Sequence, residues 1–284
     1  MKKIKDTFAI IGGDKRSLYL ARALKNHGYT VSLWGFDRSE DMSCEIATAL
    51  DSDILILPII PFKENKKVYS AYSDKAVDLK GYENKINGKK IFTGKTESFI
   101  KEFPNINKAN VFSYTEREEF SVKNAVPTAE GAIAVAMNNS DNTINGSKIL
   151  VCGYGRIGKV LSEMLRGMGA DVTISARRKS DFAWISLNGY KSDYTGHFSD
   201  LENYTIIFNT VPSLIFNKEL LEKVNHDTLI IDLASKPGGV DFKTAESLGI
   251  TAIQALALPG KTSPKSAGEI MESTILGILE EDDG

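Results

Sequence analysis

Lys148-Ile149-Leu150-Val151-Cys152-Gly153-Tyr154-Gly155-Arg156-Ile157-Gly158 decides the fold of this chain. Its first five residues read as an apolar strand, and the remainder as a Gly-x-Gly-x-x-Gly turn that opens a helix. At this spacing Gly153 permits the tight turn, Gly155 lets the backbone approach a pyrophosphate, and Gly158 lets helix and strand pack closely. A helix starting there aims N–H groups and a partial positive charge at the phosphates. Downstream, Ile157, Val160, Leu161, Met164, Leu165 and Met168 share one helical face. Gly169 stops that helix, and Val172-Thr173-Ile174 opens the next strand. The stretch predicts a βαβ dinucleotide-binding unit with contacts from Gly153, Tyr154, Gly155, Arg156, Ile157 and Gly158.

The second strand bears on which dinucleotide. An acid about 20 residues past the first glycine would hold a ribose 2′-hydroxyl. Here the strand ends Ser175-Ala176-Arg177-Arg178, without an acid. Two guanidinium groups hold a 2′-phosphate through bidentate, charge-assisted contacts. NADP is therefore expected over NAD, with Ser175, Ala176, Arg177 and Arg178 at the cofactor; the alternative is that both arginines decorate a solvated strand end.

The chain's 284 residues suit two domains. With 42% hydrophobic residues and a formal charge of −2 it has the composition of a globular protein, and nucleic acid is not an expected partner. Two cysteines, Cys44 and Cys152, make neither a metal cluster nor a disulfide framework, so no metal is expected. The start Met1-Lys2-Lys3-Ile4-Lys5-Asp6 shows no hydrophobic leader, and no spanning segment follows. A cytoplasmic location without a membrane partner is the expectation.

Laying residue 10 onto residue 151 reveals an internal repeat. Ile10-Ile11-Gly12-Gly13-Asp14-Lys15-Arg16-Ser17 falls on Val151 to Gly158, Gly28 on Gly169, and Val31-Ser32-Leu33 on Val172 to Ile174. Ser52 to Pro58 resembles Tyr204 to Thr210 at a slightly longer offset. The fold class is therefore α/β, with two tandem Rossmann-like doubly wound domains. In the first copy Asp14 replaces the glycine that admits the pyrophosphate, and Ser17 replaces the packing glycine. That copy is not expected to bind a dinucleotide, although its helix start, with Lys15 or Arg16, can hold a small anion. The expected layout is 1–125 for an N-terminal substrate or partner domain and 126–145 for a connecting helix and joint. Residues 146–263 then form the NADP domain, and 264–284 a C-terminal helix crossing back onto the first. The connecting helix is expected to start near Pro127, and the Lys- and Asn-rich residues 63–90 to form an exposed excursion with a short hairpin.

A cleft over the strand C-termini is the default ligand site. Three segments end apolar strands there: Asn209-Thr210-Val211-Pro212-Ser213, Asp232-Leu233-Ala234-Ser235-Lys236, and Leu258-Pro259-Gly260-Lys261-Thr262-Ser263. Asn209, Thr210, Val211, Pro212, Asp232, Leu233 and Ala234 are candidate cofactor contacts. Lys236 is either a cation for a substrate carboxylate or a loop lysine in water. Asp232 is either a proton acceptor or simply a helix cap or turn former. Thr128 and Glu130 can face the cleft as substrate and catalytic residues, although Thr128 can equally be an N-cap. His27 reads as packing near a helix end, and His197 and His226 lie in polar surroundings. No histidine follows the final strand, which argues against a 2-hydroxyacid dehydrogenase.

The order of parts resembles the A subunits of bacterial dipicolinate synthase. The resemblance rests on Ile11 to Arg16, Trp34-Gly35-Phe36-Asp37, Pro127-Thr128-Ala129-Glu130-Gly131, Gly153 to Gly158, Asn209 to Ser213, Ile231 to Phe242, Leu258-Pro259-Gly260 and Pro264 to Gly268. It implies oxidation, with loss of water, of hydroxytetrahydrodipicolinate to dipicolinate in the mother cell of a sporulating bacterium. It also implies that a flavin-type B subunit is the partner, and a homo-oligomer, expected as a dimer, is part of the same reading. Lys236 and Arg16 would anchor the two carboxylates, and Asp232 or Glu130 would take the proton. Two alternatives stay open: a non-catalytic NADP-binding scaffold for the B subunit, and another NAD(P)-dependent enzyme of alanine-dehydrogenase-like architecture.

Overall fold

Short runs of Ile, Leu, Val and Phe become buried parallel strands, and the stretches between them become covering helices. The computed structural model describes residues 6–41, 43–63, 66–75 and 77–282, so the reading of residues 1–5 as a leaderless start lies outside the described residues. The elements run β1 (Thr7–Ile11), α1 (Lys15–Asn26), β2 (Thr30–Trp34), α2 (Ile46–Ala49), β3 (Ile54–Ile56), α3 (Glu83–Ile86), β4 (Lys90–Thr93), α4 (Thr96–Glu102), β5 (Val111–Ser113) and α5 (Glu118–Asn139). They continue β6 (Lys148–Cys152), α6 (Arg156–Gly167), β7 (Asp171–Ala176), α7 (Lys179–Leu187), β8 (Lys191–Tyr194) and β9 (Ile206–Asn209). Last come α8 (Lys218–Leu221), β10 (Leu229–Asp232), α9 (Phe242–Ser247), β11 (Ala252–Gln254), α10 (Leu258–Thr262) and α11 (Pro264–Asp282).

The chain divides into two compact units, Met1–Asn124 with Ser263–Gly284, and Ala125–Thr262. Both are doubly wound α/β units. The first sheet is parallel in the order β2-β1-β3-β4-β5. The second is parallel in the order β8-β7-β6-β9-β10-β11. Counted within its unit this is third, second, first, fourth, fifth, sixth, the order of dinucleotide-binding sheets, and the switch point lies between β6 and β9. Alternate residues feed opposite faces. Ile149 and Val151 enter one core cluster while Leu150 and Cys152 enter another; Phe8 and Ile10 are likewise separated from Ala9 and Ile11.

The repeat is visible in the pairing. β1 lies between β2 and β3, as β6 lies between β7 and β9. Gly28 and Gly169 follow their helices with φ of 80° and 86°. Tyr29 N–H donates to the Leu24 carbonyl as Ala170 N–H donates to that of Leu165, each at 3.1 Å.

Several sequence expectations are corrected. The helix expected to begin near Pro127 opens at Glu118, so Pro127 lies in its interior and Thr128 is not its N-cap. Glu118 and Glu119 supply the acidic first turn, and Pro127 is buried between Ala125 and Ala129; packing outweighs the one hydrogen bond a proline removes. Residues 64, 65 and 76 of the 63–90 region lie outside the described residues; Phe62, just before it, makes an isolated antiparallel bridge to Val68, and the region is not simply exposed. Val68, Val77, Leu79 and Ile86 are buried in the first unit's core, apolar positions masked by the lysines around them. Leu258–Thr262 is the helix α10 rather than an open loop, with Leu258 and Pro259 buried. Met168 is 37% exposed at the end of α6 rather than packed. His27 has a largely exposed side chain and pairs through Nδ1 with the buried carboxylate of Glu272 on α11.

Within the first unit, α11 packs on α1. Ala267, Gly268, Met271, Thr274, Ile275, Ile278 and Leu279 form its buried stripe, and Leu20, Ala21 and Leu24 of α1 share a core cluster with Met271, Ile275 and Ile278. A Cβ on Gly268 would stand 2.7 Å from the Arg16 carbonyl oxygen and 2.8 Å from the Leu20 nitrogen. The two helices meet backbone to backbone at that point.

Candidate functional site

The second unit collects its expected site residues at the C-terminal ends of its strands. The three glycines after β6 have three different environments. Gly153 adopts φ +97°, and a Cβ there would meet Thr210 Oγ1 at 2.4 Å. A Cβ on Gly158 would meet the Gly153 carbonyl oxygen at 2.1 Å. Around Gly155 nothing lies within 4 Å. One glycine is required by the turn, one by contact between helix and loop, and one leaves open space above the start of α6. Gly155 is also the N-cap of α6 and makes no side-chain cap hydrogen bond. An anion placed there meets the positive end of the helix with no protein carboxylate capping it.

The loops around this opening are tied together. Thr210 donates both its N–H (2.9 Å) and its Oγ1–H (2.8 Å) to the Cys152 carbonyl. Asn209 is fully buried at the end of β9 and donates Nδ2–H to Asp232 Oδ1 at 2.7 Å. The two residues are register partners on neighbouring strands. Asp232 Oδ1 also accepts from Ala234 N–H (3.1 Å), and Oδ2 accepts from Gly239 N–H (2.9 Å). Its carboxylate thus draws the 233–239 loop back onto the sheet. Of the two readings of Asp232, proton acceptor or structural residue, the geometry is that of a loop clamp, with both oxygens engaged. That loop holds Lys236 exposed at its outer turn, with no hydrogen bond or ion pair among the described residues.

Other expected contacts offer main chain rather than side chain. Ser175 Oγ is buried and shares a 2.9 Å hydrogen bond with Thr195 Oγ1. Ala176, Leu233 and Ala234 are buried too. Tyr154 packs its ring into the core cluster, and burial pushes its phenol above the ordinary value. Ile157 packs against the same cluster, and Arg156 and Pro212 are exposed while Val211 is half-buried. Cys152 is inert core, its thiol pushed up to about 12 by burial. Arg177 and Arg178 follow β7 directly and are exposed, as a role at its end requires. Arg178 forks onto Asp181, Nε to Oδ2 at 3.0 Å and Nη2 to Oδ1 at 3.3 Å. Sequence reasoning missed Asp181; its three-residue spacing from Arg178 was the available signal. Thr128 is half-buried and Glu130 exposed, both on α5.

The first unit's glycine turn is closed by its own chain. Asp14 caps α1, accepting from Arg16 N–H at 3.0 Å, so a carboxylate already occupies the helix start. Residues 69–71 lie against the turn: Gly13 N–H donates to the Tyr69 carbonyl (2.7 Å) and Ala71 N–H to that of Gly13 (2.8 Å). A Cβ on Gly12 would stand 2.5 Å from the same Tyr69 oxygen. The Arg16 side chain forks onto Asp14, Nε to Oδ1 at 2.9 Å and Nη2 to Oδ2 at 2.7 Å. Burial works to lower the pKa of Arg16, but the Asp14 pair outweighs it and holds the guanidinium above its ordinary value. Arg16 therefore meets any ligand already paired. Among the described residues no group of His, Cys, Asp and Glu is arranged to hold a metal, and no helix is long and apolar enough to cross a membrane.

Comparison with known proteins matches residues 7–115 to the family of N-terminal domains of the dipicolinate synthase A subunits. Over 285 aligned residues the chain is 33% identical to the A subunit of dipicolinate synthase from Bacillus subtilis (strain 168), covering 96% of this chain and 95% of that protein. The crystal structure of the corresponding Bacillus halodurans protein superposes with a TM-score of 0.86 at 30% identity, covering 96% of this chain and 97% of that one. The crystal structure of the Bacillus subtilis protein gives 0.82 at 32%, covering 97% and 96%. A transhydrogenase from Sinorhizobium meliloti shares the fold alone, with a TM-score of 0.70 at 14% identity over 96% and 93% of the two chains.

Proposed function

The chain belongs to the family of dipicolinate synthase A subunits, and from that premise we propose that its second unit binds NADP. In this reading the chain works as an NADP-dependent oxidoreductase that converts hydroxytetrahydrodipicolinate to dipicolinate during sporulation. One observation carries the cofactor reading: the open space over Gly155 at an uncapped helix start, with Arg177 and Arg178 at the end of the adjoining strand. The dinucleotide, when bound, supplies the hydride acceptor. Gly155 and the start of α6 receive the diphosphate, Arg177 and Arg178 the 2′-phosphate, and the main chain at Asn209–Pro212 and Asp232–Ala234 borders the nicotinamide side.

A dicarboxylate substrate needs cationic anchors. Lys236, exposed and without an ion pair among the described residues, is the proposed anchor in the second unit, and Asp232 positions its loop. Arg16 is the proposed anchor in the first unit, where binding has to compete with Asp14. Thr128 is a further proposed substrate contact and Glu130 the proposed proton acceptor. The partner is a flavin-type B subunit, and assembly as a homo-oligomer in the mother-cell cytoplasm belongs to the same proposal.

The test is calorimetry with NADPH and NADH on the wild type and on Arg177→Ala/Arg178→Ala. NADPH should bind at least tenfold tighter, and the double variant should remove the gap, about 1.4 kcal/mol. Absence of binding by either nucleotide would refute the cofactor reading. One observation favours a second reading, a non-catalytic NADP-binding scaffold: both oxygens of Asp232 are engaged in holding a loop. Steady turnover of substrate by the isolated chain eliminates the scaffold reading. Loss of that turnover in Glu130→Gln with unchanged NADPH affinity would support the proton-acceptor assignment, and full activity would remove it.

A further inference from the structure

Resting on the reading of the second unit as an NADP site, we propose that Asp181 limits how strongly that site prefers a 2′-phosphate, by competing internally for Arg178. The two arginines after β7 are consecutive in sequence but differently placed. Arg177 is exposed, with no hydrogen bond or ion pair among the described residues. Arg178 already sits on a carboxylate, with Nε and Nη2 at 3.0 and 3.3 Å from the two oxygens of Asp181.

The two members of that pair are unequal. The Asp181 side chain is 16% exposed and that of Arg178 77%. Asp181 also belongs to the first turn of α7, where the helix field favours an anion. The carboxylate is the buried partner and the guanidinium the solvated one. An ion pair with one solvated member is weak enough for a dianionic phosphate to displace. A 2′-phosphate must therefore draw Arg178 off Asp181 or be held by Arg177 alone. A phosphate that took only Nη1 of Arg178 would still meet a carboxylate of its own sign within reach. In each case Asp181 weakens NADPH binding and leaves NADH, which lacks that phosphate, unaffected. Arg177 then carries the larger share of the contact and Arg178 the share that Asp181 leaves it, so Asp181 is a positioning residue that acts through Arg178.

Calorimetry on the full chain with NADPH and NADH separates these roles. Asp181→Asn should tighten NADPH roughly threefold to fivefold, the size expected from releasing an exposed ion pair, and leave NADH unchanged. Asp181→Ser, a second uncharged substitution at the same place in α7, should do the same if the carboxylate charge is responsible. Combining Arg178→Ala with Asp181→Asn should erase the gain seen in Asp181→Asn alone, while Arg177→Ala should remove most of the preference. The proposal is overturned if Asp181→Asn leaves the NADPH-to-NADH ratio unchanged or lowers it, or weakens both nucleotides alike, while Arg177→Ala still removes the preference. If Arg177→Ala leaves the preference intact, or the wild type shows none, the NADP reading itself has failed and the role of Asp181 goes with it.

Discussion

Gly155 and Gly158 stand one helical turn apart and answer to different demands. At Gly158 an added methyl would press on a backbone oxygen, which gives only if the loop shifts; at Gly155 it meets open space. Gly158→Ala should therefore lose about 1–3 kcal/mol of stability, the usual cost of overpacking. Gly155→Ala should stay within about 0.5 kcal/mol of wild type, as exposed substitutions do, yet weaken NADPH binding at least tenfold. Thermal melts paired with calorimetry check both, and equal losses of stability in the two variants would sink the assignment. The difference in space between the two positions was legible in the sequence because the spacing of the glycines encodes it. The role of Asp232 was not: an acid at the end of a strand looks the same whether it takes a proton or holds a loop. The difference lies in Ala234 and Gly239, whose N–H groups reach it only after the chain has turned back.

Among the elements, α1 depends on contacts that local sequence does not announce. Gly268 reads as a poor helix residue, but its missing side chain is what lets α11 meet the backbone of α1. Gly268→Ala should cost about 1–3 kcal/mol, since the nearest atoms include main chain that cannot move aside cheaply; denaturant melts give the number, and a neutral result would contradict the packing described. At the N-terminal ends of two neighbouring strands of the same unit, Asp53 receives the N–H and hydroxyl of Thr7 at 2.9 and 2.7 Å, joining the start of β1 to the loop before β3. The Thr7 hydroxyl, then its N–H, hold this carboxyl below its ordinary value of 3.8. A depressed carboxyl contributes stability above its unfolded pKa and loses it as pH falls through the folded one. Asp53→Asn should therefore destabilise the protein at pH 7, with the difference from wild type shrinking in strong acid; melts at the two pH values test the sign. Helix α5 marks the limit of local reading. Pro127 looks like a helix start by every sequence rule, yet its place is decided by the packing of its alanine neighbours in a core the sequence does not display.

At the scale of the whole molecule, the repeat was legible and its asymmetry only half so. Asp14 and Ser17 announced that the first glycine turn had changed, but the covering by residues 69–71 was hidden in a lysine-rich stretch more than 50 residues away. Because that turn is closed and the second is open, NADPH should slow amide exchange at residues 153–160, 175–178 and 209–213 and leave residues 12–17 unchanged. Exchange followed by mass spectrometry checks this, and protection at residues 12–17 alone would reverse the assignment of the two units. The split makeup of the first unit also has a consequence for how the protein is born. Its sheet is complete in sequence by residue 113, but the helix that covers Leu20, Ala21 and Leu24 starts at residue 264. On a ribosome adding roughly 5–20 residues per second, the intervening stretch takes on the order of ten seconds to emerge. Residues 125–262 are all present before α11 is, so the unit that begins first in synthesis is the one that closes last, with an apolar helix face bare in the interval.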